Sequence, residues 1–173
     1  MITVKPCLAA HRWIVLIGIL FGTYSCKTIR NGAFKKDDGK LEVVFVQVND
    51  VYEIGPLAGG KSGGIARIAT LKKQYLRANP NTLLVISGDF VSPSVYNSLK
   101  YQGTPIRGRQ MVESLNAAGM DLAVFGNHEF DISETDIQNR INESQFKWVS
   151  SNTFKLVNGN AVPFQQVHQN TSE

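Results

Sequence analysis

The sequence predicts an α/β domain built on a mostly parallel sheet with helices on both faces. Two observations carry that expectation. Short β-branched apolar runs alternate with amphipathic helical stretches, and Asn-Pro or Gly stops separate them. Polar, chemistry-bearing residues gather where the apolar runs end. The composition agrees: 173 residues, 43% hydrophobic and 18% charged, suit one globular domain rather than a disordered chain. The formal charge is +4. Without Lys5 and Arg12, in a leader segment, 16 basic side chains face 14 acidic ones, a net of +2. So small and dispersed an excess does not suggest a groove for a nucleic-acid polymer, and none is expected.

Each element follows in order. Leu41 to Val48 (LEVVFVQV) reads as a first buried strand, and a loop with Gly59, Gly60, Gly63 and Gly64 comes next. Ile65 to Ala78 places Ile65, Ile68, Ala69, Leu71 and Leu76 at helical spacing, and Asn79-Pro80-Asn81 stops it. Thr82 to Ser87 (TLLVIS) is a second strand. Ile106 to Ala118 reads as a second helix, with Met111, Val112 and Leu115 inward and Gly119 as its stop. Leu122 to Phe125 is a third strand, followed by a helix from Ser133 to about Ser144. There Ser133 is the N-cap and Asp136 makes a capping-box-like pattern. Lys147 to Ser151 is a fourth strand. The domain therefore runs over 41–155, and 156–173 reads as an irregular, truncated end.

The N-terminus reads as an export signal. Lys5, His11 and Arg12 precede a ten-residue apolar run, Trp13 to Gly22, and Thr23-Tyr24-Ser25-Cys26 follow. That run is far shorter than the roughly 20 residues a membrane-spanning helix needs. A small residue directly before a cysteine resembles a bacterial lipoprotein signal, residues 1–25, with Cys26 lipidated; Thr23 stands where the pattern has Leu. The alternative is an ordinary signal with an incidental cysteine. Cys7 leaves with the leader, so Cys26 has no disulfide partner in the mature chain. Residues 26–40 are polar and aperiodic, a tether between membrane and domain. The expected location is outside the cytoplasm, anchored in a membrane and facing the periplasm or cell surface.

The strand ends carry the chemistry. Asn49-Asp50 closes strand one, Gly88-Asp89 strand two, Asn127-His128 strand three and Asn152 strand four. Singly, each reads as a helix cap, a turn former or a structural histidine. Gathered at one edge of a parallel sheet, they suit oxygen- and imidazole-bound divalent ions instead. Two such ions can activate water and hold a phosphate.

The segments Asn49-Asp50, Gly63-Gly64-Ile65-Ala66-Arg67, Ser87-Gly88-Asp89 and Gly126-Asn127-His128-Glu129-Phe130-Asp131 resemble those of calcineurin-type metallophosphoesterases. Within that family they are similar to the bacterial 5′-nucleotidase and 2′,3′-cyclic-nucleotide phosphodiesterase branch, which Asn116, Asp121 and Ser151-Asn152 also match. The resemblance implies an incomplete four-layer metallophosphoesterase core and two divalent metal ions, Mn, Zn, Mg or Fe. It implies Asp50 as a ligand of the first ion, Asp89 as the bridge and Asn127 as a ligand of the second. His128 would pair with Asp131 and act on the phosphoryl group or the leaving group, and water would attack. The implied function is hydrolysis of phosphate esters, nucleotides foremost.

Two departures qualify it. The family's Asp-x-His is here Asp50-Val51-Tyr52, so Tyr52 is an altered ligand position and the first metal site is expected to be altered with it. The family's later histidine ligands and its base-binding C-terminal half have no match here, since His168 stands outside a Gly-rich strand-end context. A missing C-terminal half or a complementing chain would complete the unit. The alternative is an inactive, lipid-anchored fragment that binds metal or phosphate without turnover.

Overall fold

The computed structural model describes residues 39–167. The leader, Cys26, nearly all of the tether and His168 lie outside the described residues. Residues 41–167 belong to one compact unit.

Four strands make the central sheet: β1 (Val44–Val48), β4 (Thr82–Ile86), β7 (Leu122–Ala123) and β8 (Lys147–Trp148). They lie side by side in chain order and every pairing is parallel. Three helices provide the crossovers: α1 (Ile65–Ala78), α2 (Arg109–Ala118) and α3 (Glu134–Glu143). This is the α/β class with a parallel sheet that the sequence indicates.

The strand order decides where the helices go. Right-handed crossovers that always step in one direction place successive helices on the same face. Accordingly α1 packs on α2 and α2 on α3. One core joins Ile65, Met111, Leu115, Ile137 and Ile141 of the helices to Val46, Leu84, Ile86 and Ala123 of the sheet. Phe90 and Phe146 close it, stacked edge-on at 6.3 Å between ring centres. The opposite face presents Phe45, Leu83, Val85 and Leu122, and no helix stands on it among the described residues. Phe45 there is 64% exposed and Leu41, just before β1, 76% exposed.

Local signals set most helix ends. α1 begins and ends at the predicted residues, with the Asn79 amide donating to the Tyr75 carbonyl. α3 is capped by Ser133, whose Oγ accepts the Asp136 amide at 3.1 Å and donates to Asp136 Oδ2 at 2.7 Å. α2 ends at Gly119 in the left-handed region, but it starts at Arg109 rather than Ile106. Gly108, at φ 82°, turns the chain into the helix only there, and its amide is held by buried Asn97 Oδ1 at 2.8 Å. The third and fourth strands are also shorter than the apolar runs that announced them.

The stretch beginning at residue 156 is not irregular as far as it is described. β9 (Phe154–Val157) and β10 (Asn160–Pro163) form an antiparallel hairpin. Asn158 and Gly159 both have positive φ, 52° and 81°, as a two-residue loop matched to strand twist requires. Two small ribbons decorate the loops, β2 (Pro56–Leu57) with β3 (Ser62–Gly63) and β5 (Lys100–Tyr101) with β6 (Thr104–Pro105). Among the described residues no helix is long and apolar enough to cross a membrane.

Candidate active site

Side chains past the carboxyl ends of β1, β4 and β7 meet at one edge of the sheet. The β1 and β4 ends are zipped beyond the strands, with the Ser87 amide donating to the Val48 carbonyl and the Asp50 amide to the Gly88 carbonyl. Asp50 and Asp89 both adopt the left-handed region, at φ 53° and 59°. Such a conformation costs about 1–2 kcal/mol for most residues and is easiest for Asn and Asp.

Asp50 accepts hydrogen bonds from Asn49 Nδ2 and, at 3.0 Å, from Tyr52 Oη. Those two bonds, Asn49's foremost, hold its carboxyl below the ordinary value, with His128 adding attraction. Tyr52 lies edge-on to His128, ring centres 6.2 Å apart. Desolvation first, and then its bond to Asp50, push the Tyr52 phenol up to about 12. Here Tyr52 is a protonated donor to a carboxylate. A cavity of about 500 Å³ opens beside the pair, bordered by Val48, Glu53, Gly63 and Ile68.

Asp89 is half-buried, and its Oδ1 accepts the His128 amide at 2.9 Å. Two glycines make that approach feasible. A Cβ on Gly126 would lie 2.1 Å from Asp89 Oδ1, and one on Gly88 would lie 2.4 Å from the Gly126 nitrogen. His128 Nδ1 and Asp131 Oδ2 are 2.7 Å apart, and Ser92 Oγ reaches the same carboxylate oxygen at 3.4 Å. The Asp131 bond is the main cause that raises the His128 pKa, with Asp131, Asp89 and Glu129 adding attraction. The imidazole therefore keeps its proton to higher pH than a free histidine.

The structure thus brings Asp50, Tyr52, Asp89 and the His128–Asp131 pair into one neighbourhood, with Asn127 between Gly126 and His128. Asn152 does not join them; its Oδ1 accepts locally from Ser150 Oγ at 3.2 Å. Asn116 and Asp121 are fold staples: Asn116 bridges the Glu143 carbonyl and the Gln145 amide, and Asp121 pairs with Lys72. Glu129, which has no role among the residues singled out from the sequence, is completely buried, and its carboxylate accepts four main-chain amides. The available signal is a carboxylate inside an otherwise reactive string, with no lysine or arginine beside it in the sequence.

Two carboxylates and an amide are oxygen donors of the kind that hard divalent ions prefer. The set is partial, because no group of three His, Cys, Asp or Glu among the described residues is placed to hold a metal.

Residues 43–170 match the family model for calcineurin-like phosphoesterase. A 5′-nucleotidase of Bos taurus is 40% identical over 73 residues, 40% of this chain and 11% of that protein. A 5′-nucleotidase of Homo sapiens is 36% identical over 95 residues, 52% of this chain and 15% of the relative. The crystal structure of a 5′-nucleotidase precursor from Thermus thermophilus superposes with a TM-score of 0.52 at 22% identity, over 69% of this chain and 27% of that one. The match to each of these proteins spans under a third of its length.

Proposed function

The chain belongs to the calcineurin-like phosphoesterase family, and from that membership we propose that it is part of a metal-dependent hydrolase of phosphate esters, with nucleotides as substrates. The convergence of Asp50, Asp89 and the His128–Asp131 pair at one sheet edge carries the reading. The names of the relatives, 5′-nucleotidases, favour a nucleotide. The chain is read as exported, with residues 1–25 as leader, Cys26 as lipid anchor and 26–40 as tether; the sequence alone supports that part.

Asp50 would hold a first divalent ion, Asp89 would bridge two, and Asn127 would hold the second, with further ligands from a C-terminal half or a complementing chain. When bound, the ions neutralise phosphate charge and activate the attacking water. The chain's own work is positioning. Asp131 fixes the imidazole through Nδ1, leaving the Nε2 proton for the phosphoryl oxygens or the leaving group. Tyr52 occupies one Asp50 oxygen with a hydrogen bond.

Phosphate release from a nucleoside 5′-monophosphate with Mn²⁺ tests the reading. The chain joined to its C-terminal half or complementing chain is expected to turn over, and Asp89→Asn to lower the rate by more than about a hundredfold. Tyr52→His should tighten Mn²⁺ binding about tenfold, because a phenol donor gives way to an imidazole ligand and Asp50 Oδ1 is freed. Unchanged affinity in a titration would reject the altered first site. A second reading, binding of metal or phosphate without turnover, is favoured by the partial donor set. Saturable Mn²⁺ binding by the completed unit with no phosphate release at any concentration would select it.

A further inference from the structure

We propose that Glu129 is the positioning residue that sets Asp89 and His128 relative to each other; its effect on metal binding rests on the reading of Asp89 as a ligand. Glu129 lies in the short 3-10 turn His128–Asp131 and is completely buried. Its Oε2 accepts the amides of Gly126 at 2.6 Å and Asp89 at 2.8 Å. Its Oε1 accepts those of Phe90 at 2.8 Å and Val91 at 3.3 Å. Among the described residues no Lys, Arg or His is within ion-pair distance of it. Four main-chain dipoles therefore compensate a buried carboxylate, as in backbone anion nests.

Those amides come from two separate loops, one after β4 and one after β7. The carboxylate is the clasp between them. Asp89 is held twice: its amide by Glu129 Oε2, its Oδ1 by the amide of His128, the residue directly before Glu129. A closed ring results, running through Asp89, the His128 amide, the His128–Glu129 peptide and the Glu129 side chain. Among the described residues Asp89 Oδ2 makes no hydrogen bond, so the ring leaves one oxygen for a ligand. An uncharged Gln at 129 would bring its own N–H₂ donor against these amides, and half of the clasp would lose its acceptors.

The test uses the ¹⁵N-labelled full chain with Glu129→Gln and Glu129→Asp, read by amide hydrogen exchange and by Mn²⁺ titration. In Glu129→Gln, exchange at the His128 amide should accelerate more than tenfold, although that amide never touches Glu129. The Leu84 amide, bonded to Asp121 Oδ2 instead, should keep its wild-type exchange. Mn²⁺ should bind at least tenfold more weakly, and Glu129→Asp should restore part of both effects. Wild-type His128 exchange in folded Glu129→Gln overturns the proposal, as does equal acceleration at His128 and Leu84. If Glu129→Gln does not fold, Glu129→Asp decides by the same comparison. If the wild-type chain binds no Mn²⁺, the ligand reading of Asp89 fails, and His128 exchange alone decides the role of Glu129.

Discussion

Gly126→Ala is expected to weaken Mn²⁺ binding about a hundredfold and to cost about 1–3 kcal/mol of stability. The added methyl would sit 2.1 Å from Asp89 Oδ1 and 2.8 Å from the Asp89 nitrogen. A flexible side-chain tip could move aside, but the main-chain nitrogen cannot. It belongs to a residue already at φ 59° and bonded to Glu129. Relief therefore separates the β4 and β7 ends, and with them Asp89 from the His128 amide. A Mn²⁺ titration beside a thermal melt checks both halves. Wild-type affinity in Gly126→Ala would mean that the two loops do not approach this closely in solution.

Asp121→Ala should produce the largest loss of stability, about 3 kcal/mol, lowering the thermal midpoint by roughly 10 °C. Asp121 Oδ2 accepts from Lys72 Nζ at 2.6 Å and from the Leu84 amide in β4 at 2.7 Å. Lys72 also donates to the Gly119 carbonyl at the end of α2. One carboxylate thus ties helix, strand and loop together. Removing it strands a buried ammonium and an unpaired strand amide. The low end of the usual cost for a broken buried pair applies, because the Asp121 side chain is 31% exposed. A melt within a degree or two of wild type would show that water replaces the carboxylate.

What was legible in the sequence is what local chemistry decides. α1 runs between the predicted residues because apolar spacing and Asn79-Pro80 both act within a turn or two. The Ser133–Asp136 cap and the Gly119 stop are equally local. Asp50, Asp89 and His128 could be placed because a parallel sheet brings its strand ends to one edge whatever the strand order. The order itself is a matter of long-range pairing, to which hydrophobic period is blind. That is why the side taken by the helices emerges only from the structure. The Glu129 clasp joins residues 38 to 40 positions apart in three of its four bonds, and nothing in the string GNHEFD separates a clasp from a ligand. The β9–β10 hairpin is hidden for a different reason. Asn158-Gly159 announced it, but Lys155, Asn158 and Asn160 diluted the apolar alternation around it.

The bare side of the sheet has a colloidal consequence. Among the described residues β1 is the outer strand, so it combines an unpaired row of amides and carbonyls with water-facing apolar side chains at Phe45 and, just before it, Val43. Open edges of this kind are usually blunted by features such as lysine or proline, and β1 has neither. Self-association of these residues should therefore rise with protein concentration and with salts that strengthen apolar contacts. Light scattering would record it before any loss of secondary structure.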